Sequence, residues 1–214
     1  MTDKIITCGA LFDLDGVLLD SEGQYSIFWE RMDTEYPTGV EHFADFIKGF
    51  HLKRILSYFP AASHQPIMDK LAQFEREMSF EFFPGALELV HRLHQAGVPM
   101  AIVTSSDRKK MQSLYRQHPD FPALFEHIIT GDMVAVAKPD PACYLLGAEL
   151  LGVNIKDCVV VEDSRNGLIA GRASGARVIG VATTLSREDI EALSDLTVMS
   201  VSELSPSHFT QDKE

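Results

Sequence analysis

Ala10-Leu11-Phe12-Asp13-Leu14-Asp15-Gly16-Val17 decides how this chain is read. An apolar run over residues 5–12 leads straight into two acids and a glycine. A buried strand that ends on two carboxylates needs a reason for them, because desolvated charge is costly. Side chains two apart on an extended chain point the same way, so Asp13 and Asp15 aim at one spot. That spot lies at the carboxyl end of a strand, where open α/β sheets bind ligands. The pattern suits a nucleophile and a proton donor flanking one reacting group, with a cation to reconcile the charges.

Outward from this stretch, strand and helix signals alternate. Leu87, Val90 and Leu93 predict a helix over 85–95, ended by Gly97. Residues 98–104 read as a strand, 107–117 as a helix and 127–130 as a short strand. Asp140-Pro141 reads as an N-cap and first helical residue of a helix that stops at Gly152. A strand over 158–162, a helix over 164–174 closed by Gly175, and a strand over 178–182 follow. The expected fold class is α/β, with a mostly parallel sheet covered on both faces.

Residues 20–83 differ. They lack strand signals, and Tyr25, Phe28, Trp29 and Met32, then Phe43, Phe46 and Ile47, then Leu71, Phe74 and Met78 recur at helical intervals. The expectation is a core built from 1–19 and 84–214, and a small all-helical insert over 20–83 that hangs above the acids and closes on a substrate. The tail beyond about residue 202 is polar and is expected to fray.

Size and composition narrow the function. The chain has 214 residues and 45% hydrophobic content, enough for one large domain or a core with a smaller insert. Its net charge of −12 disfavours nucleic acid and anionic membranes, which need a basic surface. An anionic small substrate stays open, since a local site can be positive on an acidic protein. Cys8, Cys143 and Cys158 are odd in number and lack zinc-type spacing, so they read as small core residues in a reducing compartment. Neither a signal peptide nor an apolar run near the ~20 residues of a membrane span is evident. A cytoplasmic monomer is the expectation.

Three more polar clusters follow predicted strands. Thr104-Ser105-Ser106 offers a hydroxyl and backbone N–H groups at a helix start, a ready phosphate cradle, although such a triplet alone is more often an N-cap. Lys138 precedes Pro139 in a loop, where a lone lysine is usually solvated. Glu162-Asp163-Ser164 ends the run Val159-Val160-Val161. All four clusters fall at one edge of the sheet. Crowded carboxylates raise one another's pKa unless a cation intervenes. Magnesium prefers few carboxylates, several waters and a phosphate oxygen. The sum is a site for a magnesium-bound phosphoryl group.

Asp13-Leu14-Asp15-Gly16-Val17, Thr104-Ser105, Lys138-Pro139 and Glu162-Asp163-Ser164 together resemble the four motifs of the haloacid dehalogenase superfamily. The chain is most similar to its β-phosphoglucomutase-like phosphatase branch, over about residues 5–183. The resemblance implies a Rossmann-like three-layer core, a helical cap, and Mg2+-dependent phosphatase activity on a small phosphorylated metabolite such as a sugar phosphate. It implies Asp13 as nucleophile, forming an aspartyl-phosphate, and Asp15 as general acid and then base. Asp13, the backbone carbonyl of Asp15, and Asp163 would hold magnesium, with Glu162 helping directly or from behind. Thr104, the Ser105 amide and Lys138 would bind phosphoryl oxygens. Tyr25, Lys48 and Gly49 would meet the substrate from the cap, Ile47-Lys48-Gly49-Phe50 resembling the family's specificity loop.

Competing readings fare less well. An EF-hand needs a ligand at position 5 and glycine at 6, but here Val17 and Gly16 occupy positions 5 and 4. A receiver domain, or another non-catalytic phosphate-binding protein, shares the acid, hydroxyl and lysine set. Receiver acids are adjacent, however, whereas Leu14 separates these. Dehalogenases of the family lack an acid at the Asp15 position, and Asp15 also argues against phosphonate hydrolysis through a cap lysine. A sugar-phosphate mutase is the rival: mutases carry a cap histidine where Tyr25 aligns, with His42 or His51 as substitutes.

Overall fold

Strand β2 (Gly9–Phe12) is buried along its whole length, which is why its sequence is apolar without alternation. The computed structural model describes residues 6–48, 50 and 52–211. In it β2 pairs in parallel with β3 (Met100–Val103) on one side and β5 (Cys158–Glu162) on the other. β4 (His127–Ile129) lies beyond β3; β6 (Arg177–Val181) and β7 (Leu196–Val198) lie beyond β5. The described residues thus form a six-stranded parallel sheet of order β4-β3-β2-β5-β6-β7. The chain runs outward from β2 in one direction, returns, and runs out in the other. The reversal opens a crevice between the carboxyl ends of β2 and β5, the place where doubly wound sheets bind ligands.

Alternate residues feed two cores. Ala10, Phe12, Ile102 and Val161 pack with Leu89 and Leu93 of α5 (Ala86–Gln95) and Met111 and Leu114 of α6 (Arg108–Gln117). Leu11, Val103 and Val160 pack on the other face with Tyr144 of α7 (Ala142–Leu151), Leu168 of α8 (Arg165–Ser174) and Ile190 of α9 (Arg187–Glu191). This is the three-layer α/β core expected. Cys8 belongs to the first core and Cys158 to the second, so the sheet separates them; all three cysteines are free and buried.

Between β2 and α5 the chain forms α1 (Glu22–Glu35), α2 (Phe43–Phe46), α3 (Leu52–Leu56) and α4 (His64–Glu77). These helices share an aromatic-rich cluster that includes Phe28, Trp29, Met32, Phe43, Ile55, Phe59, Ile67 and Leu71. Phe28 stacks on Phe74 at 5.0 Å, and Phe43 meets Phe59 edge-on at 5.1 Å. The chain leaves and re-enters the sheet side by side: Asp20 N–H donates to Glu81 O at 2.8 Å and Phe83 N–H to Leu18 O at 2.9 Å. No helix among the described residues is long and apolar enough to cross a membrane.

Two expectations change. α7 begins one residue late, with Pro141 as its N-cap, and Asp140 still accepts from the Ala142 N–H at 2.9 Å. The C-terminal tail does not fray at 202. Val201, Leu204 and Phe209 are buried, Cys8 N–H donates to Phe209 O at 2.9 Å, and β8 (Thr210–Gln211) pairs antiparallel with β1 (Ile6–Thr7). Three apolar residues scattered among polar ones carry no periodic signal, yet each fills a gap under the first core. Phe209 has no exposure and its ring lies 5.7 Å from that of Phe12. Phe209→Ala should therefore cost about 3–5 kcal/mol in urea unfolding; a cost below about 1 kcal/mol would restore the frayed tail.

Candidate active site

β2 ends at Phe12, and its pairing with Val161 sets Asp13 beside Glu162 at the mouth of the crevice. Asp13 N–H still donates to Val161 O at 3.0 Å, so the acid is held by the sheet itself. The chain then turns at Gly16, whose φ of +79° suits glycine. A Cβ there would also lie 1.9 Å from Asp163 Oδ2, so the turn and the acid after β5 exclude any larger residue.

Lys138 reaches the same spot from the loop before α7. Its Nζ donates to Asp13 Oδ1 at 2.5 Å, Glu162 Oε1 at 2.7 Å and Val103 O at 3.0 Å. It is buried rather than solvated, and all three of its donors are used. Glu162 has no exposure and accepts from Lys138, the Tyr144 hydroxyl at 2.8 Å, the Asp163 and Ser164 N–H groups at 2.9 and 3.0 Å, and the Ser164 hydroxyl at 3.0 Å. Gly167 makes room for it: a Cβ there would fall 1.7 Å from Glu162 Oε1. With both oxygens so occupied, this carboxylate orients Lys138 and has little left for a metal.

One oxygen each from Asp13, Glu162 and Asp163 lies within 4.8 Å of the others. Lys138 serves Asp13 and Glu162, and among the described residues no lysine or arginine pairs with Asp163. Three buried carboxylates and one ammonium leave the crevice two positive charges short. The titration behaviour follows. Burial, together with the charges of Glu162 and Asp15 and against that of Lys138, pushes Asp13 up to about 7. Burial, Glu162 and Asp13 push Asp163 well above the usual carboxylate range. Burial would also raise Glu162, but Lys138 and the hydrogen bonds from Ser164 and Tyr144 together outweigh it and hold that group low. Burial would lower Lys138, and its two carboxylates raise it well above an ordinary lysine. The Thr184 hydroxyl hydrogen-bonds Asp163 at the same mouth and opposes the rise of that carboxyl. A hard divalent cation fits this donor set: oxygen ligands and excess negative charge. Asp13 and Asp163 are the side chains able to hold it.

Asp15 lines the same cavity but has separate partners. Its Oδ1 accepts from Lys110 Nζ at 2.7 Å and from the Ser21 hydroxyl, and its Oδ2 from the Ser106 hydroxyl at 2.8 Å. Burial would raise this carboxyl; Lys110 and the two hydroxyls more than reverse that and hold it below its usual range. Thr104 is buried after β3, and its Oγ1 accepts from the Ser106 N–H at 3.0 Å. Thr104 and Ser105 both border the cavity.

That cavity, of about 430 Å3, joins the crevice to the helical insert. The insert contributes Glu22, Tyr25, Trp29, Lys48 and Glu75, among others. The Tyr25 hydroxyl donates to Glu75 Oε1 at 2.9 Å, and Lys48 pairs with Asp45 at 2.8 Å. Gly49 lies outside the described residues. Of the residues expected at the site, Asp13, Asp15, Thr104, Ser105, Lys138, Asp163, Tyr25 and Lys48 border this one space, and Glu162 lies directly behind Lys138. Sequence reasoning missed Ser21, Lys110 and Tyr144 as partners of the acids, and Glu22 and Glu75 in the wall. Lys110 alone left a trace, as a lysine one turn into the helix that follows Thr104.

A family model for haloacid dehalogenase-like hydrolases matches residues 9–175. Hexitol phosphatase A of Escherichia coli is 36% identical over 181 residues, covering 81% of this chain and 82% of that protein. A haloacid dehalogenase hydrolase from Entamoeba histolytica superposes with a TM-score of 0.82 at 22% identity, over 94% of this chain and 96% of its own. A mutant of CbbY from Rhodobacter sphaeroides, in complex with xylulose-(1,5)bisphosphate, superposes with a TM-score of 0.74 at 25% identity, over 93% and 96% of the two chains. The acids, the lysine and the hydroxyl thus meet at the crevice of a chain that belongs to the haloacid dehalogenase-like hydrolases and is a phosphoric monoester hydrolase among its phosphatases.

Proposed function

We propose that this protein is a magnesium-dependent phosphatase for a small hydroxyl-rich phosphomonoester, a sugar or polyol phosphate, acting through an aspartyl-phosphate. The observation that carries the proposal is the charge deficit at the crevice: Lys138 is shared between Asp13 and Glu162, and among the described residues no lysine or arginine pairs with Asp163 beside them. Phosphoryl transfer is largely positioning and neutralisation of charge on non-bridging oxygens, and this arrangement is built for both.

In the proposed reaction Asp13 attacks phosphorus and the bond to the leaving oxygen breaks. Asp15, ionised among Lys110, Ser21 and Ser106 in the free protein, takes up a proton as substrate binds and gives it to that oxygen. Water then attacks the phosphorus of the aspartyl-phosphate, Asp15 takes the water's proton, and free phosphate departs as Asp13 is restored. Thr104 and the Ser105 amide hold the phosphoryl oxygens, and Lys138 joins them by exchanging its Asp13 contact for one of those oxygens. Glu162, pinned by Tyr144 and the loop after β5, keeps Lys138 aimed at Asp13. Magnesium, held by Asp13, Asp163 and the carbonyl of Asp15, would supply the two charges the protein lacks.

The helical insert acts as a cap that meets the leaving group. Half-buried carboxyls at Glu22 and Glu75 line the insert's side of the cavity and can hydrogen-bond the hydroxyls of a leaving group. The Lys48–Asp45 pair is partly exposed and weakly held, so Lys48 is free to turn to a ligand. Trp29 gives carbon–hydrogen faces an apolar surface. Similarity to a hexitol phosphatase supports the same class of leaving group. Among the described residues no histidine borders the cavity, His42 included, which speaks against a mutase; His51, the other substitute, lies outside the described residues.

A phosphate-release screen over hexitol, hexose and pentose phosphates tests the reading. We expect turnover with magnesium and none with a chelator; isomerised sugar phosphate without release would replace it by a mutase. Asp13→Asn should lower kcat by about a thousandfold or more while the fold is retained, and near-normal turnover in that variant would remove Asp13 as nucleophile. Binding also shifts stability. Millimolar magnesium should raise the wild-type Tm by several degrees. Asp163→Asn relieves the crowding of acids, so it should melt no lower than wild type in chelator and respond to magnesium by less than about 1 °C. An equal magnesium shift in both proteins would move the metal elsewhere.

A further inference from the structure

Lys110 stands outside the four motifs. It sits in the first turn of α6, and Asp107 caps that helix by accepting from the Lys110 N–H at 2.9 Å. Its side chain is 4% exposed, and lysines are almost never so buried unless paired. The Nζ donates to Asp15 Oδ1 at 2.7 Å and lies 4.6 Å from the centre of the Tyr25 ring. Tyr25 belongs to α1 and donates to Glu75 of α4. One ammonium therefore touches the acid of the core on one side and the helical insert on the other.

Stability alone is a poor reason for such a pair. A buried ion pair replaced by apolar groups often costs a protein nothing. Lys110 and Asp15 also both border the cavity, so their contact faces the reacting space. Ser21 and Ser106 hold the same carboxylate, but they bring no charge to it.

We propose that Lys110 is a positioning residue of the phosphatase reaction. It fixes the Asp15 carboxylate at the leaving-group side of the cavity and, through the Tyr25 ring, ties that orientation to the seat of the helical insert. The proposal rests on the reading of Asp15 as the group that exchanges protons with the leaving oxygen and the attacking water. Proton exchange needs donor and acceptor within hydrogen-bond reach, and a displacement of about 1 Å costs roughly a hundredfold.

p-Nitrophenyl phosphate separates the two steps, because its phenolate leaves without needing a proton. Lys110→Met keeps the aliphatic stem and removes the charge. The burst of p-nitrophenolate should keep its rate within about twofold, while kcat falls about 10–100-fold and KM falls with it, so that kcat/KM is little changed. Phosphoenzyme then accumulates. Lys110→Arg should recover most of the loss. In an Asp15→Asn background, Lys110→Met should cost less than about twofold, since the residue it serves is gone. Burst and steady state slowed alike, or the same loss in both backgrounds, would mean general damage to the pocket and overturn the proposal. So would an unchanged steady-state rate. If Lys110→Met fails to fold, Tyr25→Leu carries the test, and the proposal falls if that variant leaves the steady-state rate unchanged. A wild-type protein that releases no phosphate at all overturns the phosphatase reading instead, and this proposal with it.

Discussion

Three buried carboxylates facing one ammonium is the constraint on which the rest of this structure depends. Asp13, Glu162 and Asp163 crowd the carboxyl ends of β2 and β5, and Lys138 reaches two of them. Like charges in a desolvated crevice repel strongly. The fold meets that cost with fixed partners: Lys138, the Tyr144 hydroxyl and the N–H groups after β5 all serve Glu162. What remains is a deficit at Asp13 and Asp163. In the proposed reading that deficit is the chemistry on offer, because it would recruit a divalent cation and, with it, a phosphoryl group.

The constraint also explains several residues that carry no chemistry. Gly16 lets the chain turn with positive φ directly against the Asp163 carboxylate, and Gly167 lets α8 approach Glu162 so closely that a methyl group would overlap it. Tyr144 points from α7 beneath the sheet edge, where its ring lies 4.9 Å from Lys138 Nζ and its hydroxyl reaches Glu162. Each is a packing choice dictated by a charge.

Much of this was legible in the sequence, because the core obeys local rules. Strands buried on both faces read as continuous apolar runs, and helices closed by Gly152 and Gly175 announced their ends. Acids and hydroxyls placed immediately after strands fell at one sheet edge for the same reason. β7 and the packed tail were not legible. Leu196–Val198 is too short to establish a period, and Phe209 is buried by residues far away in the chain. The partners of Asp15 were hidden likewise. Lys110 is a helical lysine by pattern, and only the packing of α6 beside the crevice turns it inward. Lys138 looked like solvated surface, because nothing local tells a loop lysine from a buried one.

In the reading proposed above, the two lysines divide the cavity by function. Lys138 comes from the loop before α7, is saturated by core groups, and lies at the end where Thr104 and Ser105 border the space. Lys110 comes from α6, binds a single carboxylate, and is shared with the ring of Tyr25. A reaction with two displacements at one phosphorus needs both kinds of control. The phosphoryl end must stay fixed, since charge is neutralised there in each step. The other end must release an alcohol and admit water, so its groups have to exchange partners. Asp15 lies between the two, on the same short segment that leads through Ser21 into α1. In the reading proposed above, a shift of the helical insert therefore reaches the proton-exchanging carboxylate through two contacts, the Ser21 hydroxyl and the Tyr25–Lys110 pair, without disturbing the sheet that holds Asp13.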